Sequence, residues 1–271
     1  MTTRSRRSLF GRLFFATVLA GGSWVAAEEK PAETDNWHLH QPHQAWLQPF
    51  DPTLLAPRLL TQGEYQSLAH GDATGKVFVN VREAWLLARS LAFGLQMEVP
   101  LNWAEKAGEE FSGLGDLESR VGLVGRLAPG LRWGLGLNTR FDTASEPALG
   151  DGVFEMRTIA TLRWDATPFL NLGLQPEYTF TPTTDGVGEI ESLQLKLPVT
   201  VKLTHGWSFY ASYQPKWNLA AGDTRQDRLE LSTTFLLGPQ RKYAVTMGVE
   251  TPLSADSLDW KGYIGFQWFF H

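Results

Sequence analysis

The stretch SLAFGLQMEVPL, residues 90–101, alternates apolar side chains with small or polar ones along its length. Because successive side chains of a β-strand point to opposite faces, this period of two predicts a strand with one apolar face. The apolar positions are Leu91, Phe93, Leu95, Met97, Val99 and Leu101. The opposite positions are Ser90, Ala92, Gly94, Gln96 and Glu98. Such a strand has to place its apolar face against something other than water.

The same alternation recurs from about residue 58 onward and predicts about twelve strands. They lie near residues 58–69, 76–86, 90–101, 116–127, 131–142, 153–164, 170–180, 190–203, 207–217, 228–237, 242–252 and 258–270. The tight connections are 128–130, 165–168, 204–206 and 238–241, and they alternate with longer polar segments at 104–113, 143–152, 181–189 and 218–227. Short turns at one end and longer loops at the other indicate an all-β, up-and-down antiparallel sheet.

Strand length and aromatic placement favour a membrane barrel over a soluble β-sandwich. The strands run for about ten residues, longer than the usual globular strand and suited to a tilted bilayer crossing. Aromatic residues concentrate at the strand ends, as in the interfacial girdles of membrane barrels. One predicted girdle, near the short turns, contains Trp85, Trp133, Trp164, Trp207 and Trp268. The other contains Trp103, Phe141, Phe154, Phe180, Trp217 and Trp260. An open sheet edge would leave backbone groups unsatisfied in hydrocarbon, so we predict a closed transmembrane β-barrel over residues 58–271.

Residues 1–27 have the composition of an export signal. Four arginines precede an apolar stretch that ends in small residues, and cleavage is expected after Ala27. Removal of this segment takes away four of the 24 basic residues, so that 20 remain against 29 acidic ones, a formal charge of −9. Nucleic acid is not expected as a partner, since phosphate binding needs a basic face. We expect a protein of the outer membrane of a Gram-negative-type cell, in contact with its lipids.

Residues 28–57 show no period and contain several prolines, so we predict an irregular extension that is periplasmic or inserted into the lumen. His38, His40 and His43 lie within it. Imidazoles bind zinc or copper, but this spacing matches no zinc signature and the chain has no cysteine. We therefore expect no metal site and no cofactor.

Three segments resemble a known family. They are REAWLLARSLAFGLQMEVPLNW (82–103), GLGDLESRVGLVGRLAPGLRWGLGLNTRFDT (113–143) and LRWDATPFLNLGLQPEYTF (162–180). They are similar to the outer-membrane proteins named for the MetA pathway of phenol degradation, with LGDLESRV (114–121) as the best marker. The resemblance covers roughly residues 58–270. It implies an outer-membrane channel for the passive transport of small molecules, with apolar or aromatic compounds among the candidate cargo, and it implies no catalytic residues.

The inward parity of the predicted strands contains charges of both signs. The predicted lumen-lining residues are Glu98, Glu118, Arg120, Arg132, Arg140, Glu155, Arg157, Glu177 and Lys196. Charged rings select ions in pores, whereas paired charges of opposite sign simply fill the polar interior of a narrow barrel. Both interpretations fit the sequence. Twelve strands predict a lumen narrower than that of an open porin.

The chain ends in KGYIGFQWFFH, residues 261–271. Trp260, Gly262, Ile264, Phe266, Trp268 and Phe270 share the predicted lipid-facing parity. Lys261, Tyr263, Gly265 and Gln267 share the predicted lumen-facing parity. The spacing of Tyr263, Gly265, Trp268 and Phe270 resembles the C-terminal signal by which the outer-membrane assembly machinery recognises its clients. We therefore predict that the last strand is both a wall strand and an assembly signal.

Two other classes of function compete with a channel. An outer-membrane lipid hydrolase would need a nucleophile and a base within hydrogen-bond reach, and His70 near Ser67 is the candidate pair at the predicted outer end. A non-conducting structural barrel would need neither a lumen path nor a catalytic pair. Conductance separates both alternatives from a channel.

Overall fold

The computed structural model describes Thr53 and residues 56–68, 72–106, 108–182, 190–204, 206–220, 224–238, 242–254 and 258–270. The predicted export signal, the histidine cluster at residues 38–43 and His70 lie outside these ranges. No helix in the described part is long and apolar enough to cross a membrane.

The described chain is built almost entirely from antiparallel strands. The strands are β1 (Arg58–Leu68), β2 (Ala73–Ala88), β3 (Leu91–Lys106), β4 (Glu109–Leu114), β5 (Glu118–Ala128), β6 (Leu131–Arg140), β7 (Glu155–Thr167), β8 (Leu170–Phe180), β9 (Glu191–Thr204), β10 (Trp207–Asn218), β11 (Thr224–Leu237), β12 (Tyr243–Pro252) and β13 (Leu258–Phe269). A single turn of 3-10 helix, Pro147–Leu149, lies in the connection between β6 and β7.

Each strand pairs with its neighbours in the chain, and β13 also pairs with β1, from Arg58 opposite Phe269 to Ser67 opposite Trp260. This last pairing closes the sheet. β4 and β5 share one wall position, because β4 pairs with the outer end of β3 and β5 with the rest of β3. The wall is therefore a closed, up-and-down antiparallel β-barrel of twelve strands, which confirms the predicted fold class.

One predicted element was wrong. Residues 104–113 were expected to form a loop, but the end of β3 and β4 continue the wall through this segment. Glu105, Glu109 and Glu110 are exposed there. A strand that projects beyond the hydrocarbon has water on both faces, so it needs no apolar alternation. The period-two pattern that reveals the other strands is therefore absent.

The barrel is apolar on its outside. Met97, Leu101 and Ile264 are 56%, 56% and 57% exposed, whereas Gln267 on the opposite parity is completely buried. A soluble fold would bury such residues against another layer, but here they form an outer surface suited to lipid. Ring pairs mark both rims of this surface. Near the short turns they are Trp85 with Phe93, Trp207 with Phe235 and Tyr243 with Phe266. Near the longer loops they are Tyr65 with Trp260, Phe141 with Phe154 and Tyr178 with Phe180.

Glycine makes room for a large aromatic ring on the outer face. Gly75 of β2 lies opposite Trp103 of β3, and a Cβ at Gly75 would overlap the indole of Trp103. The ring therefore lies flat over the neighbouring strand, an arrangement that covers glycine backbone and fixes register.

We predict that Gly75→Ala lowers the free energy of unfolding by about 1–3 kcal/mol, because the added methyl group displaces the indole. Urea-induced unfolding in lipid vesicles measures the change. Gly63→Ala is the matched control, since a Cβ there would meet its nearest listed neighbour, Val77 Cγ2, at 4.0 Å. Equal losses in the two variants would contradict the proposed role of Gly75.

Candidate functional site

The inner face of the barrel is polar, and the structure places the nine predicted lumen residues on the inward parity of β3 and β5 to β9. Arg132, Glu155 and Glu177 are buried there, and the other six are partly exposed. Inward and outward parities therefore differ in chemistry as well as in burial. The interior is the candidate functional site, and its geometry decides what it can do.

A chain of ion pairs follows the inner wall from β2 to β9. Lys76 of β2 pairs with Glu98 of β3, and Arg140 of β6 pairs with Glu118 of β5 at 3.2 Å. Beyond Arg140 the signs alternate from strand to strand. The further contacts are Arg140 with Glu155 at 3.9 Å, Arg157 with Glu155 at 3.1 Å, Arg157 with Glu177 at 3.7 Å and Lys196 with Glu177 at 2.9 Å. We call these residues, with their continuation on β10 to β13, the charged belt.

The belt continues around the remaining strands. Gln194 of β9 donates to Gln214 of β10 at 3.0 Å, and Gln214 donates to Glu230 of β11 at 2.7 Å. Glu250 of β12 then accepts from both sides. Its partners are Arg228 of β11 and Lys261 of β13, each at 3.0 Å. The belt thus joins strands on every side of the barrel.

Tyr263 of β13 bridges two strands to reach the belt. Its hydroxyl donates to Glu230 of β11 at 2.6 Å, passing over Gly248 of the intervening strand β12. A Cβ at Gly248 would lie 2.5 Å from the Tyr263 hydroxyl, so glycine is required for this reach. The sequence predicted that Tyr263 faces the lumen, but its partner two strands away was not evident from parity.

Of the two interpretations of the inward charges, pairing accounts for most of them. Among the predicted residues, Glu98, Glu118, Arg140, Glu155, Arg157, Glu177 and Lys196 belong to the belt, and Arg132 pairs with Asp165 at 3.4 Å. Opposite signs held this close neutralise each other and narrow the lumen. Arg120 differs. Within the described residues it has no ion pair, and its Nε has no hydrogen-bond partner.

A second group of cations lies between the belt and the short turns. Its members are Arg58 of β1, Arg82 of β2, Arg126 of β5, Arg132 of β6 and Arg163 of β7. Arg58, Arg82, Arg132 and Arg163 are buried, at 3%, 3%, 6% and 1% exposure. We call this group the lower arginines. Arg58 was not a candidate from sequence, because β1 alternates weakly and Arg58 is its first residue. The inward charge is thus mixed in the belt and largely positive below it.

The barrel mouth near the longer loops is partly covered. The connection between β6 and β7 folds back, and the buried carboxylate of Asp116 accepts backbone N–H groups of Thr143, Ala144 and Asp151 at 3.0, 3.0 and 2.9 Å. Asn102 on the inner face of β3 donates to the carbonyl oxygen of Leu149 at 2.7 Å. Asp116 lies in the segment that sequence analysis singled out, 114–121, and its role here is to hold a loop.

At the opposite end, residues preceding β1 enter the barrel. Ala56 packs with Ala244 of β12 and Phe269 of β13. Thr53 is completely buried, and its Cγ2 lies 3.6 Å from the position that a Cβ would take on Gly134 of β6. Since β6 lies several wall positions from β13, the chain between Ala56 and Thr53 runs across the interior.

Neither a metal site nor the proposed hydrolase pair is found in the described residues. They contain no group of three or more His, Asp or Glu side chains placed to hold a metal ion. Ser67 donates a hydrogen bond to Asp259 at 3.3 Å, and its candidate partner His70 lies outside the described ranges.

No protein-family model matches the chain, and no curated protein does so. Solved structures do share its architecture. An outer membrane channel from Pseudomonas putida F1 has a TM-score of 0.70 at 12% identity, over 83% of this chain and 100% of that one. The NanC porin has a TM-score of 0.56 at 15% identity, over 79% and 100%. The toluene transporter TbuX from Ralstonia pickettii has a TM-score of 0.51 at 9% identity, over 87% and 100%. The chain has the fold of outer-membrane β-barrel proteins.

We predict that Glu177→Gln lowers the free energy of unfolding by about 2 kcal/mol, because the Arg157 and Lys196 charges would lose a buried anion between them. Urea-induced unfolding in lipid vesicles measures it. Asp259→Asn is the control: its carboxylate accepts an exposed hydrogen bond from Ser67, so a change within about 0.5 kcal/mol is expected. A Glu177→Gln variant as stable as the parent would show that the belt does not stabilise the barrel.

Proposed function

We propose that the chain is an outer-membrane channel through which small molecules diffuse passively, in a Gram-negative-type cell. The observation that carries this proposal is the inside-out chemistry of the closed barrel. A wall that is apolar outside and charged inside is needed where polar matter passes through hydrocarbon. The titles of the similar structures, a channel, a porin and a toluene transporter, support the same function.

The finer assignment, to the proteins named for the MetA pathway of phenol degradation, rests on the sequence resemblance described above. Apolar or aromatic cargo is consistent with it. The monoaromatic hydrocarbon channel CymD, with a TM-score of 0.51 at 9% identity, and TbuX also have titles that name such compounds. The mixed charges of the belt place no net sign on the narrow part of the lumen, so they are compatible with neutral cargo.

The function is tested by conductance of the refolded chain, residues 28–271, in planar bilayers. Discrete conductance steps are expected, well below those of an open porin because the belt narrows the lumen. Absence of steps, also after deletion of residues 28–57, would favour the non-conducting structural barrel. Esterase activity that is abolished in His70→Ala would favour the hydrolase instead.

We further propose that the segment preceding β1 gates the channel from the short-turn side. The burial of Thr53 against Gly134 supports this proposal, because chain that crosses the interior obstructs it. The native chain lacks cysteine, so a cross-link can be introduced cleanly.

We predict that the double variant Thr53→Cys, Gly134→Cys forms a disulfide, since the facing atoms lie within the usual Cβ–Cβ range of about 3.5–4.5 Å. Oxidation is expected to lower the conductance, because it fixes the segment across the lumen, and dithiothreitol is expected to restore it. Thr53→Cys alone is the control and should respond to neither reagent. A cross-linked barrel that conducts like the parent would contradict the gate.

Assembly into the membrane is proposed to depend on the end of β13. Trp268 and Phe270 contact each other edge to face, with ring centroids 5.1 Å apart, and the N–H of Phe270 donates to Pro57 at 3.0 Å. This end of the strand therefore closes the wall as well as presenting the aromatic signal.

We predict that deletion of residues 268–271 leaves the protein in the periplasm, because signal and closing contacts are lost together. Fractionation and heat-modifiable migration on gels measure this. Ile264→Ala is the control, since Ile264 is a lipid-facing residue of the same strand outside the signal; it should reach the membrane. Normal membrane yield of the deletion would refute the assembly role.

A further inference from the structure

Four neighbouring strands present a part of the inner wall that has almost no side chains. In register, Gly94 of β3 lies opposite Gly122 of β5, Gly122 opposite Gly136 of β6, and Gly136 opposite Ile159 of β7. Gly134 lies two residues before Gly136 on the same parity. We call Gly94, Gly122, Gly134 and Gly136 the glycine floor. Every other patch of charged belt or lower arginines has bulk at these positions, so the floor is a recess in the wall.

The size of the recess suits a flat molecule. Strands lie about 4.8 Å apart, so three glycines on adjacent strands leave about 10 Å of bare backbone across the wall. A cavity of about 30 Å³ opens there, and its lining includes the apolar side chains of Val124 and Ile159. A Cβ on Gly122 would lie 2.9 Å from the carbonyl oxygen of Leu135, so the wall itself requires glycine there.

Arg120 borders this recess from the side of the belt. It precedes Gly122 by two residues on β5 and is among the residues that line the cavity. Its buried Nε has no acceptor within the described part of the chain. The neighbouring Arg82 differs, since it donates to Gln96 Oε1 from Nε at 3.0 Å and from Nη2 at 2.7 Å. A buried guanidinium N–H without an acceptor is costly, and an anionic ligand would satisfy it.

The opposite border of the recess is also positive. Arg126, Arg132 and Arg163 of the lower arginines lie in one row across β5, β6 and β7. Asp165 pairs with Arg132 at 3.4 Å in this region. The glycine floor therefore lies between Arg120 and a row of arginines, where the local potential favours an anion.

We propose that the glycine floor and Arg120 form a binding site for small aromatic carboxylates within the lumen. The ring lies on the floor against Val124 and Ile159, and the carboxylate accepts hydrogen bonds from Arg120. A neutral hydrocarbon would leave the Arg120 Nε unsatisfied, and a small inorganic anion would make no use of the apolar floor. As a statement of cargo class, this inference rests on the proposed channel function.

Benzoate is the probe, titrated by calorimetry into the detergent-solubilised chain 28–271. Benzyl alcohol tests the role of the carboxylate, and acetate tests the role of the ring. Benzoate is expected to bind saturably and about tenfold more tightly than either, the effect of one charged hydrogen bond or of a buried ring. Equal affinity for benzoate and benzyl alcohol, or for benzoate and acetate, would overturn the proposal, as would absence of benzoate binding.

Two variants separate the parts of the site. Arg120→Gln is expected to weaken benzoate about tenfold and to leave benzyl alcohol unchanged. Gly136→Val is expected to weaken both aromatic ligands, because it fills the floor; a Cβ there meets no atom nearer than 3.4 Å, so the wall tolerates it. Heat-modifiable migration verifies that each variant is folded.

Lys202→Gln is the matched control for charge, since Lys202 is an inward-parity cation of β9 outside the site. Its benzoate affinity should stay within about twofold of the parent, because a distant lumen charge is screened. Equal weakening by Lys202→Gln and Arg120→Gln would mean a general positive field and no site. Binding in detergent needs no conduction, so a chain that binds benzoate without conducting contradicts the channel alone, and one that conducts without binding benzoate contradicts this site alone.

Discussion

The antiparallel pairing of β13 with β1 is the constraint on which the rest of the structure depends. Backbone N–H and C=O groups exposed to hydrocarbon have no water to pair with, so a sheet with an open edge is not viable there. The run of pairs from Arg58 with Phe269 to Ser67 with Trp260 removes both edges at once. Only after this closure can Met97, Leu101 and Ile264 face outward at low cost. The same closure creates an enclosed interior in which charged side chains are shielded from lipid.

Enclosure brings many charges together, and their arrangement limits the electrostatic cost. Along the belt, Arg140, Glu155, Arg157, Glu177 and Lys196 alternate in sign from one contact to the next. Each charge therefore has an opposite neighbour, and the narrow part of the lumen carries little net charge. The lower arginines break this balance toward the short turns. A molecule that traverses the barrel would thus meet a neutral constriction and a positive zone in succession.

Glycine is used on both faces for the same physical purpose, which is to give a larger neighbour room. Gly75 accommodates the indole of Trp103 outside, and Gly248 lets Tyr263 reach Glu230 inside. The glycine floor is different, because no side chain of the described residues fills it. Glycine in a strand weakens the strand, so a row of three on adjacent strands asks for a reason of its own.

The strands could be predicted closely where one face meets lipid and the other meets polar groups. Residues 170–180 were predicted as a strand and coincide with β8. β4 was missed for the converse reason, since both of its faces are wet. Parity also gave the inward residues of the belt, because a strand has only two faces. It could not give their partners: Tyr263 meets Glu230 two strands away, and Asp116 holds a loop that follows it by more than twenty residues.

The sequence by itself determined the periodicity, the strand count and the side of the wall on which each residue lies, because these depend only on local alternation. Tertiary structure decided which charges neutralise each other, where Thr53 enters the interior, and that Gly94, Gly122 and Gly136 lie side by side. These last features depend on the register between strands. Register is fixed by closure of the whole barrel, which no single strand encodes.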